Sequence, residues 1–172
     1  MNDDDFIDGV PLGYLITFRT YGTWLHGDER SSVDRHGYNK YGGERLSDNQ
    51  LLEYRMLSNM KQAAVTLTSE MCACILDAIA EVCAYRGYEK YAIHVRTNHV
   101  HAVIGSASSP EKIINELKSY ATRRLREANL VGPDQKVWAR GGSRRYLWKP
   151  RHIDAAIEYV AYGQGGEIPD FK

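Results

Sequence analysis

Apolar and polar residues alternate with a period of two in two stretches of the chain, which is the pattern of half-buried β-strands. The first stretch, GYLITFRT over residues 13–20, predicts one strand. Residues 88–104 predict a hairpin of two strands, with the polar residues 96–98 forming the turn between them. Residues 137–148 contain aromatic residues around a pair of glycines, and this composition predicts one or two short strands with a glycine turn.

Apolar residues recur every three to four positions in other stretches, and this spacing predicts amphipathic helices. One helix is predicted over residues 69–86, between an N-cap at Thr68 and a stop at Gly87. A second is predicted over residues 110–128 and a third over residues 153–162. The residues predicted to face inward are Met71, Ile75, Ala78, Ile79 and Val82 in the first helix, Ile113, Ile114, Leu117, Ala121 and Leu125 in the second, and Ile153, Ile157 and Val160 in the third.

The elements follow one another as strand, insertion, helix, hairpin, helix, strand and helix. This order predicts an α+β fold, a ferredoxin-like two-layer sandwich in which an antiparallel sheet carries its helices on one face. The 172 residues contain no repeat and no linker, so a single domain is predicted over residues 1–172.

The irregular insertion is predicted at about residues 21–66, with a short helix at about 51–60. Insertions of this length in a compact domain are usually functional or ordered by a ligand. His26 and His36 stand alone among polar residues of this insertion, and both are predicted to lie at the surface.

The composition is that of an ordinary globular protein, with 43% hydrophobic and 26% charged residues. No apolar run approaches the ~20 residues of a membrane span, and the acidic residues 1–8 do not resemble a secretory signal. Cys72, Cys74 and Cys83 are odd in number and lack the C-x-x-C spacing of zinc and redox sites. We therefore expect reduced thiols, a cytoplasmic localisation and no membrane partner.

Charge is unevenly distributed along the chain, although the net charge is zero. Residues 111–151 contain eleven Lys and Arg residues and four acidic residues, a local excess of seven positive charges. Such a segment can form a phosphate-binding surface, although a solvated helix face is the commoner outcome for Lys and Arg. Here the basic residues are interleaved with Trp138, Tyr146 and Trp148, which favours a nucleic-acid partner.

The second strand of the hairpin contains a histidine pair. His99 and His101 are predicted to lie on one face with Val103, whereas Val100 and Ala102 face the other way. Two adjacent imidazoles can provide two ligands of a divalent ion or hold one phosphate from two sides. The alternative is an ordinary half-buried polar face. The softness of imidazole ligands does not exclude zinc as the metal, because paired imidazoles suit zinc well.

Tyrosines are the candidate nucleophiles, because no serine or cysteine is flanked by a suitable base. Tyr120 and Tyr159 lie on predicted helices that follow the histidines. Helical tyrosines most often serve packing, which is the alternative for both residues. Tyr159 falls at the edge of the apolar stripe of the last helix, so its ring can be half buried while its hydroxyl stays accessible.

These features together resemble a known family. His99-Val100-His101 resembles the HUH motif of single-strand DNA nickases, and residues 157–160, IEYV, are similar to the tyrosine helix of small transposases. These enzymes are the insertion-sequence-200-like single-tyrosine transposases, including the REP-associated group. GYLITFRTYGTWLHGDER, which begins at Gly13, and WARGGSRRYLW, which begins at Trp138, also resemble this family.

The resemblance implies a site. His99 and His101 would hold Mg²⁺ or Mn²⁺, and Tyr159 would form a 5′-phosphotyrosine link, with Tyr120 as the alternative nucleophile. The family places an amide ligand one helical turn after the tyrosine. In this sequence Gly163 occupies that position, and Gln164, one residue later, is the candidate third ligand.

The implied function is a metal-dependent nickase and strand transferase acting on single-stranded or hairpin DNA. The candidate DNA-binding residues are Arg123, Arg124, Arg140, Arg144, Arg145 and Trp138, and the insertion with Trp24 is a further candidate for recognising a folded DNA end. One alternative is a domesticated DNA- or RNA-binding module that no longer cuts. Another is a small-molecule phosphoesterase, which would need a second H-x-[ST] motif that the sequence lacks. Whether a homodimer forms and shares its sites is left open.

Overall fold

The computed structural model describes residues 9–23, 32–33, 45–46, 50–162, 169 and 171. The strands are β1 (Gly13–Arg19), β2 (Ser32–Val33), β3 (Arg45–Leu46), β4 (Glu89–Val95), β5 (His99–Gly105) and β6 (Ser143–Leu147). The helices are α1 (Gln50–Ser58), α2 (Ser69–Arg86), α3 (Pro110–Glu127) and α4 (Pro150–Tyr162).

Four strands form one antiparallel sheet in the order β4-β5-β1-β6. The chain order β1, α2, β4, β5, α3, β6 within this sheet is the ferredoxin-like arrangement. The predicted α+β class and antiparallel sheet are therefore confirmed. β2 and β3 pair with each other and form a separate two-stranded sheet.

One face of the sheet is covered by α2 and α3, as predicted. Every residue predicted to face inward from these two helices is buried. They pack on Ile16 and Phe18 of β1 and on Val100 of β5. The ends of α2 also agree, because the Thr68 side chain accepts a hydrogen bond from the Met71 amide and Gly87 adopts a left-handed conformation with φ of 68°.

The other face of the sheet is covered by α4, and here the prediction of helices on a single face needs correction. Leu15 of β1, Val103 of β5 and Leu147 of β6 point away from α2 and α3 and pack against the apolar side of α4. Alternation along the strands leaves these three residues on the second face, and burying them requires a helix there. α4 begins at Pro150, three residues before the predicted start.

The predicted strand region at residues 137–148 contains one strand, β6, and an isolated bridge between Thr20 and Trp138. Within the predicted insertion, β2, β3 and α1 are described, whereas Trp24, His26 and His36 lie outside the described residues. No described helix is long and apolar enough to cross a membrane. The single domain over residues 1–172 stays a prediction.

Candidate active site

The two histidines of β5 lie side by side on the sheet face that α4 covers. Their ring centroids are 4.7 Å apart, and the rings meet edge to face at 78°. His101 is 7% exposed, and His99 is partly buried. β5 lies between β4 and β1, so both imidazoles project from the middle of the sheet.

Neighbouring polar groups contact one nitrogen of each ring. Nδ1 of His101 lies 2.7 Å from Oγ1 of Thr17, because Thr17 and His101 are opposite each other in the β1–β5 pairing. Nδ1 of His99 lies 2.6 Å from Oδ1 of Asn98. An amide oxygen can only accept, so Nδ1 of His99 carries the proton and Nε2 keeps its lone pair. This arrangement is typical of metal-binding histidines, whose second nitrogen is oriented by a polar neighbour.

The surroundings keep both imidazoles uncharged. Burial, with the positive charges of Arg96 and Arg19 and the nearby His94, lowers the pKa of His99 to about 4. Burial and the adjacent histidines, with the same two arginines, lower the pKa of His101 to about 3. At neutral pH both rings are therefore in the neutral form that a metal ion binds.

Sequence reasoning did not single out two residues that face this pair. His94 of β4 is paired with His101, and Arg19 of β1 is paired with His99. Counting outward from the predicted turn at residues 96–98 would pair position 94 with 100, one residue away from the observed pairing with His101. His94 is exposed, and the described part of the chain contains no group of three His, Cys, Asp or Glu residues placed to hold a metal.

Tyr159 of α4 lies beside the histidine pair. Its ring centroid is 5.6 Å from that of His101, and the two rings meet at 77°. The residue is 9% exposed and belongs to the apolar cluster formed with Leu15 and Val103. Burial raises the pKa of Tyr159, and the positive charge of Arg145 opposes this effect.

Tyr120, the alternative nucleophile, lies on the other side of the sheet. Its ring centroid is 6.4 Å from that of Tyr85, and the Arg123 guanidinium stacks 4.4 Å from its centre. The residue packs against the cluster between α2, α3 and the first sheet face. The structure therefore brings Tyr159, and not Tyr120, to the histidines. Gln164 lies outside the described residues.

The predicted DNA-binding arginines are divided between the faces. Arg145 of β6 lies opposite Leu15, on the same face as the histidines. Arg144 points the other way and pairs with Glu111 of α3 at 2.8 Å. Arg140 is exposed in the segment before β6.

Two of the predicted residues on α3 are held by acidic neighbours. Arg124 lies 3.5 Å from Glu81 and 3.9 Å from Glu127, and Arg123 lies 3.8 Å from Glu127. These atoms are substantially exposed, so each pair adds little to stability.

Trp138 mainly packs against the protein. Its indole N–H donates to the backbone oxygen of Lys118 at 3.2 Å and to the Thr122 hydroxyl at 3.1 Å. Its ring meets Phe18 edge to face at 5.0 Å. One edge still lines an open basic groove beside α3 that includes Lys118 and Arg126.

Comparison with known sequences gives the family. The sequence model described as "Transposase IS200 like" matches residues 49–157, well over half of the chain. The chain belongs to the IS200-like transposase family. The resemblance that the sequence suggested is confirmed at this level. The matched region contains His99 and His101 and ends two residues before Tyr159.

Two solved structures of similar fold were also found. One is a protein assigned as a transposase from Deinococcus radiodurans R1, with 16% identity and a TM-score of 0.47 over 91% of this chain and 93% of that one. The other is a REP-associated tyrosine transposase bound to a REP hairpin, with 13% identity and a TM-score of 0.48 over 95% of this chain and 71% of that one. No curated protein matched the sequence.

Proposed function

We propose that this transposase cuts and rejoins single-stranded or hairpin DNA through a covalent bond to Tyr159. The observation that carries the proposal is the contact of Tyr159 with His101, which in turn contacts His99 on the same sheet face. A tyrosine hydroxyl and two neutral imidazoles in contact supply a nucleophile and part of a metal site. The family of the chain is compatible with this chemistry.

The covalent step exchanges one phosphodiester for another. The Tyr159 oxygen bonds to phosphorus, the bond from phosphorus to the 3′ oxygen breaks, and the phenol proton is transferred to the departing 3′ hydroxyl. The protein is left on the 5′ phosphate. Because a phosphodiester is kept, the reaction can run in reverse and join a different 3′ end, which gives strand transfer.

The donor set fits a divalent ion. The Nδ1 atoms of His99 and His101 have polar neighbours, so the Nε2 atoms would be the metal ligands, with Gln164 proposed as a third. A bound ion would polarise the scissile phosphate as a Lewis acid. Mg²⁺ prefers a coordination shell made only of oxygen atoms. Mn²⁺ also binds oxygen ligands but accepts imidazole better, so we propose that Mn²⁺ supports the reaction better than Mg²⁺.

Arginine side chains complete the site. The positive charge of Arg145 acts to lower the pKa of Tyr159, against the effect of burial. The positive charges of Arg19 and Arg96 likewise lower the pKa of His99. Their positive charges favour a phosphodiester in this region. We propose that Arg145 stabilises the developing charge on the Tyr159 oxygen and on the phosphate.

Among the proposed catalytic groups, Tyr159 contacts His101 and His101 contacts His99 within one chain. We therefore propose that each chain forms its own site, also if it forms a homodimer. A reaction on DNA agrees with the predicted cytoplasmic localisation and reduced cysteines.

The test is a covalent-adduct assay. Full-length protein is incubated with labelled single-stranded hairpin DNA from the flanks of its own gene, with Mn²⁺ or with chelator, and resolved on a denaturing gel. We expect a metal-dependent adduct with wild type and with Tyr120→Phe, and none with Tyr159→Phe or His99→Ala. Tyr120→Phe is the matched control because it removes the same hydroxyl from the opposite face.

Other outcomes would redirect the proposal. An adduct that survives Tyr159→Phe and is lost with Tyr120→Phe would move the nucleophile to α3. DNA binding without any adduct would favour the binding module that no longer cuts. An adduct formed by mixing the inactive His99→Ala and Tyr159→Phe proteins would show that two chains share one site.

A further inference from the structure

Two aromatic rings are stacked at the edge of the sheet, outside the site described above. Tyr146 of β6 and Trp148, which follows the strand, have ring centroids 5.9 Å apart and planes that differ by 13°. Tyr14 of β1 meets Tyr146 edge to face at 5.3 Å. Tyr146 is nevertheless 41% exposed, and Trp148 is partly exposed. The stack is therefore supported from one side and accessible from another.

The position of β6 makes this stack accessible. In the described sheet β6 pairs with β1 alone and forms an edge. Arg144 and Tyr146 point to one side of the strand, and Arg145 and Leu147 point to the other. Trp148 is three residues beyond Arg145, about 10 Å along an extended chain. The stack and the candidate active site thus lie on opposite sides of the same strand.

The segment that contains the stack is positively charged. Residues 136–153 contain six Lys and Arg residues and no acidic residue. Glu111 of α3 contacts Arg144 from outside this segment. Exposed aromatic rings in a basic setting are the elements with which proteins bind single-stranded nucleic acid, because bases stack on the rings while cations hold the phosphates.

We propose that Tyr146 and Trp148 form a base-stacking platform for the single strand that flanks the scissile phosphate. The strand passes over the β6 edge, with bases on the aromatic rings and its backbone near Arg145. This inference rests on the proposed function for the choice of DNA as the occupant. It assigns to Tyr146 and Trp148 the aromatic contact that the sequence analysis gave to Trp138.

The test measures DNA binding without cleavage. All variants are made in full-length protein carrying Tyr159→Phe, and the probe is a fluorescent oligothymidylate with chelator present. We expect Tyr146→Ala and Trp148→Ala each to weaken affinity by about tenfold or more, as loss of one base–aromatic stack does. Tyr146→Phe and Trp148→Phe, which keep a ring, should bind within about threefold of the parent.

Tyr85→Ala is the matched control, because Tyr85 is a 71% exposed tyrosine with an adjacent arginine on α2. It should leave affinity unchanged. The slope of log affinity against log salt should be the same in the alanine variants, since no charge is removed. Thermal unfolding checks that each variant is folded, and the Phe variants provide the comparison if an Ala variant is not.

Several results would overturn the platform. One is affinity of Trp148→Ala and Tyr146→Ala within twofold of the parent. Another is equal weakening by the Phe and Ala variants. A third is a change in oligomeric state with no change in DNA affinity, which would make a second copy the occupant. Because the assay needs neither metal nor Tyr159, a failed adduct assay leaves this result interpretable and the two proposals can fail separately.

Discussion

The two faces of the sheet are built from the same strands and differ in almost every physical respect. The face under α2 and α3 is closed and apolar, and its residues in β1 and β5 are Tyr14, Ile16, Phe18, Val100, Ala102 and Ile104. The face under α4 is apolar at one end and polar at the other, and its residues in the same strands are Leu15, Thr17, Arg19, His99, His101 and Val103. In each of these two strands, one set of alternate residues therefore packs in the core, and the other set includes residues of the candidate site.

The difference lies in the strand residues that face the covering helix. α4 packs on Leu15, Val103 and Leu147, whereas the next positions along the strands are Thr17 and His101. Burial of polar groups is costly unless they are hydrogen-bonded, and here Thr17 and His101 are close enough to satisfy each other. The second face can thus hold uncharged, oriented imidazoles next to an apolar cluster that fixes Tyr159.

The largest expected effect comes from truncating one residue on each face of the sheet. His101→Ala should lower the rate of DNA cleavage by about a thousandfold, because a metal ion contributes several kcal/mol to the transition state. Ile16→Ala, on the first face, should instead lower the free energy of unfolding by about 2–5 kcal/mol. Single-turnover cleavage and denaturant titrations measure the two effects. A His101→Ala protein that cleaves at the wild-type rate would contradict the division of the faces.

The second expected effect concerns stability against pH in chelator. Folding lowers the pKa of His99 to about 4 and of His101 to about 3, from an unfolded value near 6.5. Above pH 6.5 both states are neutral and these histidines cause no pH dependence. Below it the unfolded chain takes up protons first, so the free energy of unfolding should fall by up to about 1.4 kcal/mol per pH unit for each histidine.

This loss should continue as the pH falls toward about 4, where His99 also protonates in the native state. Denaturant titrations at pH 7.5 and pH 5 measure it. Replacing His101 with Gln should reduce the loss, because one of the two titrating groups is removed. Equal losses in wild type and His101→Gln would show that other groups dominate the acid sensitivity.

The third expected effect tests the contact between Thr17 and His101. Thr17→Val keeps the shape of the side chain and removes the hydroxyl at Nδ1 of His101, and we expect Mn²⁺ affinity to fall about 10- to 100-fold. Thr122→Val is the matched control, since its hydroxyl bonds to Lys118 and Trp138 on the first face. Calorimetry or Mn²⁺ EPR measures the affinity. Equal Mn²⁺ affinities in the two variants would contradict a positioning role for Thr17.

Much of the fold could be predicted from the sequence because its signals are local. The cap at Thr68, the stop at Gly87 and the two-residue periodicity around the hairpin placed α2, β4 and β5 correctly. The periodicity of α4 showed that it has an apolar side but could not show which sheet face it covers. That choice depends on Leu15 and Leu147, which come from strands far apart in the chain.

The candidate site was predictable to a similar depth. Alternation placed His99 and His101 on one face, but their neighbours Thr17 and Tyr159 are brought in by tertiary packing. Composition could not show which aromatic residues of the basic segment are packed inside the protein and which are accessible. Trp138 is engaged by Lys118, Thr122 and Phe18, whereas the stack at β6 is accessible, and sequence neighbours do not encode that difference.

The smallest expected effect compares two arginines that composition treats alike. Arg145 lies on the face of Tyr159, whereas Arg124 on α3 contacts Glu81 and Glu127. Arg145→Gln should reduce both DNA affinity and cleavage, and it should lower the salt slope of binding by about one unit. Arg124→Gln should change affinity less than threefold and stability by less than about 1 kcal/mol, because an exposed pair that already neutralises the guanidinium adds little. Anisotropy titrations over a range of salt concentrations measure both variants. A larger loss of affinity for Arg124→Gln than for Arg145→Gln would mean that the main DNA contact lies on the face of α2 and α3.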